Sequence, residues 1–119
     1  MTLDELTEAG VELSKLLQDG SFGRIASEYG YAISFDKNPI VAVEDDFNKA
    51  CGEAVGDIYR SGFTVRSCYF KEPEMGLVAL VTCTFPLERQ TGVIAELILN
   101  SEGVLYLEQI SSYRGQLNA

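Results

Sequence analysis

Residues 16–36 read LLQDGSFGRIASEYGYAISFD. The leucines end one helix, and Gly20 in the polar break after them is well placed to terminate it. Ser21 is suited to cap a second, short helix that ends at Gly30. Residues 31–35 then predict a strand. The stretch therefore predicts two helices and a strand joined by tight turns, and the rest of the chain is interpreted around this order.

The flanking segments complete the helical part of the fold. Thr2 and Glu5 form a capping-box pattern at the start of the first helix. After a turn at residues 36–39, a third helix is predicted with acidic residues 44–46 in its first turn and Gly62 at its end. Its apolar residues follow helical spacing: Phe47, Ala50, Cys51, Ala54, Val55, Ile58 and Tyr59. Two glycines of this helix, Gly52 and Gly56, are four residues apart. They are predicted to form a smooth stripe that the backbone of another segment approaches closely.

Beyond Gly62 the apolar period changes from about 3.6 to about 2, which predicts strands. Turn segments separate four of them: residues 63–71, 77–85, 91–99 and 104–113. Strands linked in sequence by short turns form an antiparallel meander. The prediction is an α+β fold with a four-strand meander, a short N-terminal strand and three helices. The 119 residues fit a single domain over 1–119, with fraying expected at 1–2 and 115–119.

The charge of the chain argues against two classes of partner. The formal net charge is −9, from 18 acidic and 9 basic residues, which disfavours nucleic acid and anionic membrane surfaces. The longest apolar run is far shorter than the roughly 20 residues that span a bilayer. The acidic start lacks a signal-peptide pattern. We expect no nucleic-acid or membrane partner, and the acidity is explained either by solubility or by a basic partner protein.

The cysteine and histidine counts restrict the chemistry. Cys51, Cys68 and Cys83 are widely spaced and odd in number, which is not a disulfide framework. They are expected to be small buried side chains in a reducing, cytoplasmic location. The chain has no histidine, which removes Ser-His-Asp and Cys-His catalysis and ordinary zinc sites. We expect no cofactor and no metal site.

Alternation sorts the strand residues between two faces of the sheet. One face is mostly apolar and is predicted to lie under the helices. The other is too apolar for a solvated surface, and monomers avoid large exposed apolar patches. We therefore predict a homodimer through this outer face, with its charges as cross-pairs; the alternative is a face covered by the chain's own loops. The predicted interface comprises Arg66, Val78, Leu80, Ile94, Glu96, Ile98, Tyr106, Glu108 and Ile110.

The element order, with the pattern QDGSFGRIASEY at residues 18–29, resembles the nuclear transport factor 2-like superfamily over nearly the whole chain. The resemblance implies a cone in which a curved sheet wraps around the helices and encloses an internal pocket. Members include isomerases, dehydratases, cyclases, ligand-binding modules and partner-binding adaptors, and dimers through the outer sheet face are common among them. The steroid isomerase pattern is not matched, because Leu13 and Ala95 stand near its tyrosine and acid positions and Glu96 faces the other way.

Within the cavity implied by this resemblance we expect a ligand pocket lined by Tyr29, Tyr31, Tyr69, Cys83, Gln109 and Tyr113. Tyrosines supply apolar walls with a polar tip, although such residues also simply fill cores. Asp36 is the one candidate for a catalytic base, and a turn role is its simpler interpretation. Two functions remain open. One is a non-catalytic dimeric pocket domain that binds a small apolar ligand or a protein partner. The other is a small isomerase or dehydratase-type enzyme with an unrecognised Tyr/Asp site.

Overall fold

The computed structural model describes residues 1–52, 58, 62–71, 76–87 and 90–114. The predictions for Ala54, Val55, Gly56, Tyr59 and residues 115–119 lie outside this part of the chain. The described residues form three helices followed by four strands, which confirms the α+β class. None of these helices is long and apolar enough to cross a membrane. The elements are α1 (Leu3–Asp19), α2 (Phe22–Tyr29), α3 (Pro39–Cys51), β1 (Thr64–Tyr69), β2 (Leu77–Pro86), β3 (Thr91–Asn100) and β4 (Leu105–Arg114).

The strands form the predicted meander. They pair antiparallel in the order β1-β2-β3-β4. Each strand begins and ends within two residues of its predicted bounds. Short turn segments between period-2 stretches were therefore sufficient to predict both the strands and their order.

Helix α1 begins and ends as its sequence predicts. The hydroxyl of Thr2 accepts a hydrogen bond from the Glu5 backbone N–H at 3.1 Å, and the Glu5 carboxylate accepts one from the Thr2 N–H at 3.0 Å. This reciprocal pair satisfies two backbone donors that the helix leaves unpaired. At the other end Gly20 adopts a φ of 71°, a left-handed conformation that a residue with a Cβ disfavours.

The predicted N-terminal strand is wrong. Residues 31–35 form turns, closed by hydrogen bonds such as that from Ser34 N to Tyr31 O at 3.1 Å. A backbone hydrogen bond of 2.9 Å from Ala32 N to Leu107 O joins this loop to β4. Because α3 begins shortly afterwards, the chain turns toward that helix instead of extending along the sheet.

Helix α3 begins earlier than predicted. The side chain of Asn38 accepts a hydrogen bond from Ile40 N at 2.9 Å, and Pro39 occupies the first turn, where its missing N–H leaves no gap. Residues 44–46 therefore follow the first turn and do not form it, contrary to the prediction. Gly52, predicted to lie inside the helix, ends it with a φ of 58°. No atom lies within 4 Å of where a Gly52 Cβ would be, so the predicted backbone approach there is also wrong.

The helices and the inner sheet face enclose one apolar core. Helix α1 approaches the sheet closely at Gly10, where an added Cβ would lie 2.7 Å from Val81 Cγ1 and 3.3 Å from Cys83 Sγ. The hydroxyls of Thr7 and Ser67 share a hydrogen bond of 2.6 Å that joins α1 to β1. The largest fully buried side chains include Phe47, Phe85, Leu6, Leu13, Leu17, Ile25, Ile58, Leu97 and Leu107.

A bulge in β4 reverses the predicted alternation in the last part of the sheet. Gln109 pairs with Glu96, but Leu107 pairs with the next residue of β3, so Glu108 is an extra residue. One extra residue exchanges the two faces for everything that follows it. Ile110, predicted on the outer face, consequently joins the core cluster and is 7% exposed. Its assignment to the dimer interface is therefore wrong.

A second bulge lies in β2 between Leu77 and Ala79. Val78 is the extra residue there, and it packs partly buried against the core cluster. Its predicted place in the outer-face interface is therefore also wrong. Bulges bend a strand and increase its twist, so these two contribute to the curvature of the sheet.

Candidate functional site

Aromatic rings fill the space between α3 and the sheet. The ring centroid of Phe47 lies 6.0 Å from that of Phe22 and 6.3 Å from that of Phe85, and Phe85 lies 5.9 Å from Phe63. Aromatic pairs favour tilted and edge-on contacts at such distances. In the part of the chain that the structure describes, no buried side-chain nitrogen or oxygen lacks a hydrogen-bond partner. The interior is therefore a packed core, without unpaired polar groups that would orient a ligand.

Three of the six predicted pocket residues are buried or partly buried in the core, each in a different place. The hydroxyl of Tyr29 donates to Ala9 O at 3.5 Å, and that of Tyr31 donates to Asp46 Oδ2 at 2.7 Å. Burial raises the pKa of Tyr29 to about 12. Burial, and then the bond to Asp46, raise the pKa of Tyr31 well above its ordinary value. Both phenols stay protonated at neutral pH and anchor helices, while Cys83 is fully buried in the sheet.

The other three predicted pocket residues do not reach the interior. Tyr69 is 45% exposed at the sheet edge. Gln109 is exposed, and its side-chain amide donates to the Glu96 carboxylate at 3.0 Å. The bulge at Glu108 in β4 turns Tyr113 to the outer face, where Tyr113 pairs with Gly92. The six residues are therefore not brought together around one cavity.

Cys83 is held as a packing residue. Its thiol donates a weak hydrogen bond to Gly10 O at 3.4 Å, and the same carbonyl accepts one from the Ser14 hydroxyl at 2.8 Å. Burial raises the pKa of the Cys83 thiol to about 11, and that of Cys51 also to about 11. The thiolate is the nucleophilic form of cysteine, so neither group is suited to catalysis at neutral pH.

Among the described residues, the most exposed large apolar side chain lies in the loop between α2 and α3. Phe35 is 86% exposed and has a φ of 52°, a left-handed conformation that is rare for an aromatic residue. The strand predicted for residues 31–35 did not indicate this surface. The signal in the sequence for an exposed apolar surface was Phe35, an apolar residue directly before the predicted turn at residues 36–39. An open cleft of about 400 Å³ beside it is lined by Ile33, Ser34, Phe35, Asp36, Lys37, Ala42 and Asp46.

Asp36, the candidate base, lines this cleft and is exposed. Asp46 lines it as well, and its carboxylate accepts the hydrogen bond from the Tyr31 hydroxyl. An effective base needs burial or a charged neighbour to tune its proton affinity. An exposed carboxylate such as Asp36 lacks the first of these. The cleft is therefore better suited to binding a polar group than to abstracting a proton.

The outer sheet face carries an apolar row at its centre. Leu80, Ile98 and Tyr106 are cross-strand neighbours in this row. Ile98 is only 7% exposed, yet it lies outside the core cluster, because its neighbours on the outer face cover it. The bulges leave seven of the nine predicted interface residues on this face: Arg66, Leu80, Ile94, Glu96, Ile98, Tyr106 and Glu108.

A carboxyl pair that was not predicted from the sequence links α1 to α2. The interaction between the carboxyl groups of Glu12 and Glu28 raises the pKa of Glu12 and lowers that of Glu28. Arg24 Nη2 lies 2.9 Å from Glu28 Oε1 and 3.8 Å from Glu12 Oε1. All three side chains are largely exposed, so solvent screens the cluster and it contributes little to stability.

The described residues thus define an α+β domain with a filled interior, an apolar row on the outer sheet face and an exposed apolar loop. Comparison with known proteins found no matching family, no matching curated protein and no matching solved structure. The resemblance to the nuclear transport factor 2-like superfamily rests on element order and stays a prediction.

Proposed function

We propose that this chain is a non-catalytic, dimeric interaction domain of the nuclear transport factor 2-like type, which binds a partner protein. The packed interior carries the proposal. Phe47 of α3 faces the inner side of the sheet, where the resemblance implies a pocket, and it is fully buried against Phe22 and Phe85. A ligand pocket is typically a cleft or cavity of about 300–1,000 Å³ with a few polar groups aimed into it. Since the described residues of the interior are packed against one another, we assign binding to the outer surfaces.

The apolar row on the outer sheet face supports self-association. Leu80, Ile98 and Tyr106 lie side by side across three strands. Two charges of opposite sign lie in the neighbouring row, Arg66 on β1 and Glu96 on β3. A two-fold dimer uses the same surface of both copies. Arg66 and Glu96 of one copy would therefore contact outer-face residues of the other copy. The unpaired cysteines fit a reducing, cytoplasmic environment.

Sedimentation velocity tests the dimer. We expect the wild-type protein to sediment with the mass of two 13.1 kDa chains. Leu80→Glu should give the mass of one chain, because it inserts a charge into the apolar row. Leu3→Glu is the matched control, since Leu3 is an exposed apolar residue on α1, 44% exposed. A monomeric wild type, or a Leu80→Glu protein that still dimerises, would overturn this interface.

The cleft beside Phe35 supports a second candidate function. It brings Asp36 and Asp46 to one opening of about 400 Å³, with the protonated Tyr31 hydroxyl bound to Asp46. These groups are suited to holding a small polar molecule, and an isomerase or dehydratase with a Tyr/Asp site would need Asp36 as its base. Native mass spectrometry of the protein purified from its own host would detect a retained small molecule. Asp36→Asn, with any turnover found for the wild type as readout, separates catalysis from binding: unchanged turnover rules out Asp36 as a base.

A further inference from the structure

Four exposed apolar side chains lie within residues 33–41. Ile33 and Phe35 belong to the loop between α2 and α3, and are 38% and 86% exposed. Ile40 and Val41 belong to the first turn of α3, and are 42% and 49% exposed. We call these four residues the loop patch. Ile33 and Phe35 line one cleft with Ala42 of α3, the residue that directly follows Ile40 and Val41. Concentrations of exposed apolar surface in a folded chain mark interaction sites.

The loop patch is held in place by the fold. The Tyr31 hydroxyl ties the start of the loop to Asp46 of α3 at 2.7 Å. The hydrogen bond from Ala32 N to Leu107 O ties it to β4 at 2.9 Å. The side chain of Asn38 caps α3 directly after the loop. A surface fixed in this way loses less conformational entropy when it binds than a free loop does.

Exposed carboxylates lie near the loop patch in both of its segments. On the exposed side of α3, Glu44 and Asp45 each follow an apolar residue of the patch by one helical turn, and side chains four residues apart are neighbours on a helix. Asp36 lies in the loop itself. The basic residues of these two segments are Lys37 and Lys49, so acidic side chains are in excess, as in the whole chain with its net charge of −9.

We infer that the loop patch is the docking site for a segment of another protein that carries apolar anchor side chains flanked by lysine or arginine. The inference rests on the proposed function and names the surface and the partner chemistry that it needs. Apolar anchors supply most of the binding energy of such contacts. The carboxylates near the patch select basic segments over acidic ones and speed their association. The same charges repel nucleic acid and anionic lipid.

Selection from a library of random displayed peptides tests this site. Peptides that bind the wild-type protein are counter-selected against Phe35→Ser, which changes a side chain so exposed that the fold is not at risk; circular dichroism checks this. We expect the recovered peptides to combine aromatic or aliphatic residues with lysine or arginine. By fluorescence anisotropy, a recovered peptide should bind about tenfold or more weakly to Phe35→Ser and to Glu44→Lys. Its affinity should also fall as salt rises.

Leu3→Ser is the matched control, because it removes an exposed apolar side chain elsewhere on the surface and should leave peptide binding unchanged. The inference is overturned if no recovered peptide depends on Phe35, if the recovered peptides lack basic residues, or if Glu44→Lys binds them as well as the wild type does. It is also overturned if Phe35→Ser lowers the sedimenting mass, since the patch would then join two copies of this chain. The proposed dimer depends on Leu80 and not on Phe35, so the two proposals fail separately.

Discussion

The side-chain amide of Gln109 donates a hydrogen bond of 3.0 Å to the carboxylate of Glu96 on the neighbouring strand. This contact puts Gln109 on the outer face, and the next residue, Ile110, in the core. We expect Ile110→Ala to lower the free energy of unfolding by about 2–4 kcal/mol, because it leaves a cavity. Gln109→Ala should lower it by less than about 1 kcal/mol, because its hydrogen bond is exposed. Urea unfolding of both variants measures this, and the opposite order would mean that β4 has no bulge.

Gly10 is expected to be a position where any side chain destabilises the fold. In Gly10→Ala the new methyl group would lie 2.7 Å from Val81 Cγ1 and 3.3 Å from Cys83 Sγ. Because both neighbours are fully buried, the helix must shift, and we expect a loss of about 1–3 kcal/mol in the free energy of unfolding.

Gly23→Ala is the matched control for Gly10→Ala. Gly23 is exposed on α2, and the atom nearest to its added Cβ is Ile40 Cδ1 at 4.0 Å. The free energy of unfolding should rise by about 0.5–1 kcal/mol, since alanine restricts the unfolded chain and suits a helix. Thermal unfolding followed by circular dichroism gives both values, and a Gly10→Ala protein as stable as Gly23→Ala would contradict the close approach of α1.

The hydrogen bond between Tyr31 and Asp46 is expected to stabilise the fold. Tyr31→Phe removes the hydroxyl that donates to Asp46 Oδ2 and leaves this partly buried carboxylate without that donor. We expect the free energy of unfolding to fall by about 1–2 kcal/mol at neutral pH. Urea unfolding measures the loss, and an unchanged value would show that water replaces the hydroxyl at no cost.

The same tyrosine predicts how stability changes in alkali. Its pKa in the folded state is raised above the ordinary value of 10.0, by burial and by Asp46. A group that binds its proton more tightly when folded stabilises the fold below its unfolded pKa, and this contribution is lost as pH rises through the folded pKa. The wild type should therefore lose stability above about pH 10. Tyr31→Phe should lose less over the same range, and equal losses would contradict the assignment.

Signals carried by a few neighbouring residues were sufficient to predict much of this fold. The start of α1 is specified by the capping box between Thr2 and Glu5, which are three residues apart in the chain. Its end is specified by Gly20, which adopts a left-handed backbone conformation. Turn residues between period-2 segments gave the bounds and order of all four strands. In each case the physical cause lies within the segment itself, so the sequence of that segment reveals it.

The predictions that were wrong concern features that depend on which other segment a stretch of the chain pairs with or packs against. The bulges at Glu108 and Val78 are properties of how two strands pair, and neither strand alone contains a signal for them. Because a bulge exchanges faces, the one at Glu108 moved Gln109 and Tyr113 out of the predicted pocket and moved Ile110 into the core. The loop at residues 31–35 likewise follows from contacts with α3 and β4, which the strand-like composition of that segment does not show.

The three cysteines are expected to differ sharply in reactivity. Cys68 is exposed on the outer face, where it pairs with Leu80, whereas Cys51 and Cys83 are buried. Burial raises the pKa of both buried thiols to about 11. With dithiobis(nitrobenzoic acid) at about pH 8, one thiol per folded chain should therefore react quickly, and all three should react after denaturation.

Cys68 also reports on the proposed dimer, because it lies beside the apolar row. Cys68→Ser should abolish the fast reaction without changing the others, and a second fast thiol would contradict the burial of Cys51 or Cys83. If the outer faces of two copies meet, the fast reaction should slow as protein concentration rises, because dimerisation covers Cys68. Leu80→Glu should remove this dependence on concentration, and Leu3→Glu should keep it. A wild-type rate that is independent of concentration would count against the outer face as the surface that joins two copies.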